Sequence, residues 1–229
     1  MGLSVTGLSV TGLTHAAIDA DGWCPQAARY DSPNCDARPA GSEITLLVVH
    51  NISLPVGHFG GPHIADLFTN RVDGAADPSF AGLRALTVSA HFLVRRDGRV
   101  LQFVSCNARA WHAGRSRFGA REHCNDFSLG IELEGSDFVA FAPAQYDALA
   151  ALTVALAARY PLAAVQGHEH IAPGRKTDPG PFFDWQFYAG RVAQCAASMP
   201  ENGAGLVPAH RLTSLLSGLP KVKGAALKK

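Results

Sequence analysis

Residues 127–135 read FSLGIELEG, an alternating run that places Leu129, Ile131 and Leu133 on one face of a strand and Gly130, Glu132 and Glu134 on the other. The apolar face requires a core beneath it, and two carboxylates share the opposite face. Working outward, ITLLVVH (44–50) is apolar, β-branched and short, with Gly41-Ser42 before it and Pro55 after it, and predicts a buried strand ending at His50. VSAHFLV (88–94) and RVLQFV (99–104) flank Arg95-Arg96-Asp97-Gly98, and an Asp-Gly turn between two such runs predicts a β-hairpin. Pro143 opens a stretch in which Tyr146, Leu149, Leu152, Leu156 and Tyr160 recur at helical spacing, and shorter helices are expected over 63–70 and 183–197. Strands and helices therefore mix. The expected fold is α/β (α+β mixed), a central mixed sheet flanked by helices in one domain.

Composition narrows the function classes. The 229 residues carry 20 basic and 19 acidic side chains, a formal charge of +1, which gives no broad electrostatic footprint for nucleic acid or an anionic membrane. The 10 histidines raise the expectation of metal or acid–base chemistry without locating it. The 5 cysteines are scattered, contain no C-x-x-C pair and read as reduced thiols. Residues 1–14, with GLSVT duplicated over 2–11, read as a poorly ordered extension. Residues 199–229, ending in Lys221, Lys223, Lys228 and Lys229, read as a flexible basic tail, leaving 15–198 as the functional domain. The N-terminus lacks the basic and apolar regions of a secretory signal, and the longest apolar stretch, 148–158, is too short to span a bilayer, so a soluble cytoplasmic protein is expected, and a monomer is taken as its form.

The segment GHEHIAPGRKTDPG (167–180) is dense in turn formers yet polar, an irregular loop bearing two histidines, a lysine and an aspartate. A loop histidine, a loop aspartate and the strand-end His50 are nitrogen and oxygen ligands of the kind zinc accepts. Spacing alone does not select among His168, His170 and the other candidates.

Several segments occurring in order make that selection: VVHNISLP (48–55), FGGP (59–62), VSAHFLVRRDG (88–98), AWHAG (110–114), CNDFSLGIELEG (124–135) and GHEHIAPGRKTDPGP (167–181). Together they resemble the zinc-dependent N-acetylmuramoyl-L-alanine amidases of the AmpD type, within the wider fold of phage amidase lysozymes and peptidoglycan recognition proteins. The resemblance runs from about Trp23 to Gln194. It implies that His50, His168 and Asp178 hold Zn2+, three protein ligands with an open fourth position. It implies further that Glu132 moves protons and that Lys176 steadies the oxyanion. Asn51, Trp111 and His112 match a substrate-contacting rim. Two departures bear on specificity: arginines expected at Thr87 and His123 are absent, and either Arg117 or Arg121 substitutes from the same loop or the peptide preference differs. His170 stands where an acidic residue is expected, and Glu134 is the rival to Glu132.

The implied reaction is hydrolysis of the amide joining the lactyl group of a 1,6-anhydro-muropeptide to the L-alanine of its stem peptide. The implied setting is cytoplasmic cell-wall recycling, with a link to control of β-lactamase induction. The alternatives are an exported or phage-type amidase on intact peptidoglycan and a non-catalytic muropeptide-binding module. The latter is disfavoured because His50, His168, Asp178 and Glu132 are all present.

Overall fold

The computed structural model describes residues 13, 15–199, 207 and 209–220, excepting the side chains of residues 209 and 210. The core is a sheet of six strands: β1 (Ala28–Arg29), β2 (Leu46–Ile52), β3 (Phe92–Val94), β4 (Val100–Gln102), β5 (Ser128–Glu134) and β6 (Ala164–Gly167), in the order β1-β4-β3-β5-β2-β6. Only the β3–β4 hairpin is antiparallel; β5 runs parallel to both β3 and β2, and β2 parallel to β6. The mixed sheet and the Arg95–Gly98 hairpin turn are as the sequence predicts.

The α-helices are α1 (His63–Phe68), α2 (Pro143–Arg159), α3 (His168–Ile171), α4 (Trp185–Ala197) and α5 (Ala209–Ser217), and Cys35–Asp36 with Arg109–Ala110 and Arg117–Phe118 with Arg121–Glu122 form two small antiparallel ribbons. The start of α2 is fixed in two ways. Pro143 occupies its first turn, where no N–H is needed, and Gln145 accepts from the Ala142 N–H at 3.0 Å while donating to the Val94 and Glu134 carbonyls. Leu149, Leu152 and Leu156 then meet Leu47, Val49, Leu129, Ile131 and Leu133 in the main core cluster.

Both faces of β5 are buried, although its sequence alternates. The polar face that the sequence leaves open is covered by segments that lead from the hairpin back into β5, with Ala113, Cys124 and Phe127 packed beside Leu46 and Val48. Glu132 is thereby enclosed.

Two expectations are corrected. The segment 167–180 is not irregular throughout: its first residue ends β6 and His168–Ile171 forms one helical turn, α3, stabilised by the Gly167 N–H donating to His170 Nδ1 at 3.1 Å. The reading of 199–229 as a flexible tail does not hold over Ala209–Ser217, which is helical. Leu212 and Leu215 enter the core with Leu216 and Leu219 packed against it, a three- and four-residue spacing that flanking Gly, Pro and Lys obscure in the sequence. The duplicated GLSVT and the terminal lysines lie outside the described residues. All five cysteines are free thiols.

Candidate metal centre and active site

Parallel pairing aligns the chemistry. His50 on β2 is the register partner of Glu132 on β5, and Val49 pairs with Gly167 on β6, so His168 follows in the same row, one residue beyond β6. Residues far apart in the chain are thus neighbours on one edge of the sheet. Asp178 closes the group from the loop after α3. Its backbone oxygen accepts from the Glu169 N–H at 2.8 Å, which folds that loop back onto the helical turn.

His50 Nδ1 and His168 Nδ1 lie 3.0 Å apart, and Asp178 Oδ2 lies 2.9 Å from the first and 3.1 Å from the second. Tetrahedral zinc with bonds of about 2.0–2.1 Å places its ligand atoms roughly 3.3 Å apart, so this triangle has the size of one metal's ligand shell. His168 Nε2 meets the Ala113 carbonyl at 3.1 Å and donates to it, which leaves Nδ1 with its lone pair inward. Burial pushes His50 down to about 4, against the nearby Asp178 charge, so its imidazole is neutral at ordinary pH, the form that ligates metals. Two imidazoles and one carboxylate fit a divalent cation, and no other such group occurs among the described residues.

Glu132 is enclosed next to this triangle, and its Oε2 has no hydrogen-bond partner. Burial raises its pKa well above the carboxylate range, the Asp178 charge adds to the rise, and Lys176 opposes it. A carboxyl poised upward beside a cation site is suited to proton transfer. Glu134 has a different task. It accepts from Arg95 Nη1 at 2.7 Å, the Gly60 N–H at 2.7 Å and the Arg96 N–H at 3.2 Å. Glu134→Ala leaves these donors unpaired and is expected to cost about 3–5 kcal/mol in urea unfolding, whereas a surface carboxylate would cost well under 1.

The rim residues separate. Asn51 donates to Asp137 Oδ1 at 2.7 Å and to the Pro179 carbonyl at 3.0 Å, lining a groove of about 320 Å3 with Val56, Phe138, Lys176 and Asp178. The ring nitrogens of His112 face His50 and Ser128. Trp111 turns to the Cys35–Asp36 and Arg109–Ala110 ribbon, where with Arg109 it helps hold the Asp36 carboxyl below the ordinary range. Arg121 is drawn away from the site, stacked 3.6 Å from the Phe127 ring centroid and bonded to Thr45 at the opposite ends of β2 and β5. Arg117 lies with Arg115, His123 and Arg175 around a pocket of about 400 Å3 in which Glu122 is the one carboxylate. His170 caps α3 and packs on Trp185, so it is no member of the triangle. Sequence reasoning missed Ser128 and the Ala113 carbonyl. The signal for Ser128 was its spacing, since it shares the Gly130 and Glu132 face of β5.

Residues 40–181 match the family described as N-acetylmuramoyl-L-alanine amidase. The chain is 58% identical over 167 residues to 1,6-anhydro-N-acetylmuramyl-L-alanine amidase AmpD of Citrobacter freundii, covering 72% of this chain and 89% of that protein. It is 57% identical over 166 residues to AmpD of Escherichia coli strain K12, covering 72% and 91%. The crystal structure of a Se-Met AmpD derivative superposes with a TM-score of 0.75 at 55% identity, covering 76% of this chain and 98% of that one. An endolysin amidase, LysCS of Clostridium intestinale, shares the fold, with a TM-score of 0.52 at 18% identity over 75% of this chain and 98% of that one. The matched span contains the row from Glu132 through His50 to His168 and the loop that brings in Asp178, and the chain belongs to the N-acetylmuramoyl-L-alanine amidase family.

Proposed function

We propose that the chain hydrolyses the amide between the lactyl group of a 1,6-anhydro-muropeptide and the L-alanine of its stem peptide, as a cytoplasmic, monomeric recycling enzyme. The observation that carries the reading is the convergence of His50 Nδ1, His168 Nδ1 and Asp178 Oδ2 within 3.1 Å of one another beside the unpartnered Glu132 Oε2. The named activity of the AmpD relatives supplies the substrate class.

His50, His168 and Asp178 would hold zinc, which when bound supplies Lewis acidity toward the scissile carbonyl and the attacking water. Glu132 accepts the proton of that water at Oε2 and delivers it to the alanine nitrogen as the C–N bond breaks, so one carboxyl serves first as base and then as acid. Its raised pKa suits both halves of the task. Lys176, on the loop that carries Asp178, offers a cation where the carbonyl oxygen gains negative charge. Asn51 lines the groove beside it. Arg117, with Arg115 and Arg175, takes a stem-peptide carboxylate in the pocket they line, in place of the arginines absent at Thr87 and His123.

The test is incubation of the purified chain with a soluble anhydro-muropeptide and, separately, with intact peptidoglycan, reading products by mass spectrometry together with zinc content. Release of the free stem peptide from the anhydro-muropeptide, lost on chelation, is the expected result. Cleavage of intact peptidoglycan alone assigns the chain to wall degradation, and binding without cleavage reduces it to a recognition module.

A further inference from the structure

Behind His50, on the side away from the triangle, a hydrogen-bonded run passes through His112 and Ser128 to the main-chain oxygen of Cys124. His50 Nε2 lies 3.0 Å from His112 Nδ1, His112 Nε2 lies 3.2 Å from Ser128 Oγ, and Ser128 donates its hydroxyl proton to the Cys124 carbonyl. The far end dictates the direction. A carbonyl oxygen only accepts, so Ser128 has used its single proton there and faces His112 with a lone pair. His112 Nε2 must then carry the hydrogen, which in a neutral imidazole leaves Nδ1 bare. That bare Nδ1 accepts from His50 Nε2–H, and His50 in turn presents an unprotonated Nδ1 to the triangle.

The packing accommodates this ring. A Cβ added at Gly130 on β5 would sit 2.5 Å from His112 Cγ, so any larger residue would displace the imidazole. The His50 and His112 rings meet edge to face, with centroids 5.1 Å apart and planes at 86°. Asn125 Oδ1 accepts the N–H groups of both His112, at 3.2 Å, and Ala113, at 2.8 Å. One side chain thus holds the residue that faces His50 and the carbonyl that faces His168.

We infer that His112 is a positioning residue whose relay through Ser128 to the Cys124 carbonyl holds His50 in the metal-binding tautomer, and that residue 130 is glycine so that this ring fits. The inference deepens the metal-site reading and rests on it. Outer partners of ligating histidines typically contribute about 10–100-fold in metal affinity.

The test measures zinc affinity of the full chain by competition with a chromophoric chelator, for the parent, His112→Phe and His112→Asn, alongside the melting temperature of each metal-free protein. His112→Phe keeps an aromatic ring but has no acceptor, and is expected to weaken zinc binding about 10–100-fold. His112→Asn places an amide oxygen near the position of Nδ1 and is expected to recover most of that loss. Nitrogen-15 spectra of the zinc-loaded parent should show His112 protonated at Nε2 and bare at Nδ1, a preference that weakens in Ser128→Ala. A His112→Phe chain that binds zinc as tightly as the parent, or a His112 ring protonated at Nδ1, overturns the relay. Equal losses in the Phe and Asn variants, tracking equal losses of melting temperature, mark a packing role and also overturn it. A parent chain that holds no zinc overturns the metal reading and the relay with it.

Discussion

A Glu132→Gln chain retains its metal and its fold and turns over an anhydro-muropeptide about 10²–10⁴-fold more slowly, the range associated with loss of a general acid–base group. The expectation follows from where Glu132 stands. It is central on β5, paired with Leu93 on one side and His50 on the other, so its backbone has no freedom to adjust. Its Oε2 is buried without a partner, a cost that folding alone would not select and that proton transfer explains. The amide is nearly isosteric but cannot accept the water proton, so the loss should fall on kcat rather than KM. Stability should hold or rise, because a buried carboxyl whose charged form is disfavoured is exchanged for a neutral group. Kinetics, zinc content and a melting curve on the same preparation decide the matter. Parent-like kcat in the glutamine variant would refute the role of Glu132.

Removal of the metal has a comparable effect. Chelation of the parent should lower activity on the order of 10³-fold, since Lewis-acid stabilisation contributes several kcal/mol and each 1.36 kcal/mol is tenfold in rate. Added zinc should restore the chelated parent. Asp178→Ala should behave like the chelated protein and resist restoration, because it removes the carboxylate that stands 2.9 and 3.1 Å from the two imidazole nitrogens and completes the triangle. His170→Ala should bind zinc as the parent does, since that ring caps α3 and stands outside the triangle. If His170→Ala loses zinc while Asp178→Ala keeps it, the ligand assignment is wrong.

Much of this arrangement is legible in local pattern. The alternation over 127–135, the Asp97-Gly98 turn and the spacing from Tyr146 to Tyr160 each depend on residues within one or two turns of the chain, and the corresponding strand, hairpin and helix form. The helix at Ala209–Ser217 escaped because its evidence is tertiary. Four leucines between Pro, Gly and Lys are weak as an isolated pattern and become informative only against the core they cover. Arg121 was misplaced for a similar reason. Sequence locates it in the right loop, but that loop forms a short ribbon with Arg117–Phe118 that sends the guanidinium onto Phe127.

The sequence by itself singled out His50, His168, Asp178 and Glu132, through ordered motifs whose resemblance implies three metal ligands and a group that moves protons. Only the tertiary structure decided their states and their supporting partners. The parallel register sets His50 beside Glu132 and carries on to His168. Burial and neighbouring charge then drive Glu132 upward and His50 downward. The same packing sets His112 behind His50, with its ring nitrogens facing His50 and Ser128. A hydrogen-bond direction depends on which carbonyl closes the run, here Cys124 for His50 and Ala113 for His168. Those carbonyls belong to the backbone, whose composition is the same at every residue, so only the fold can say which of them a side chain meets.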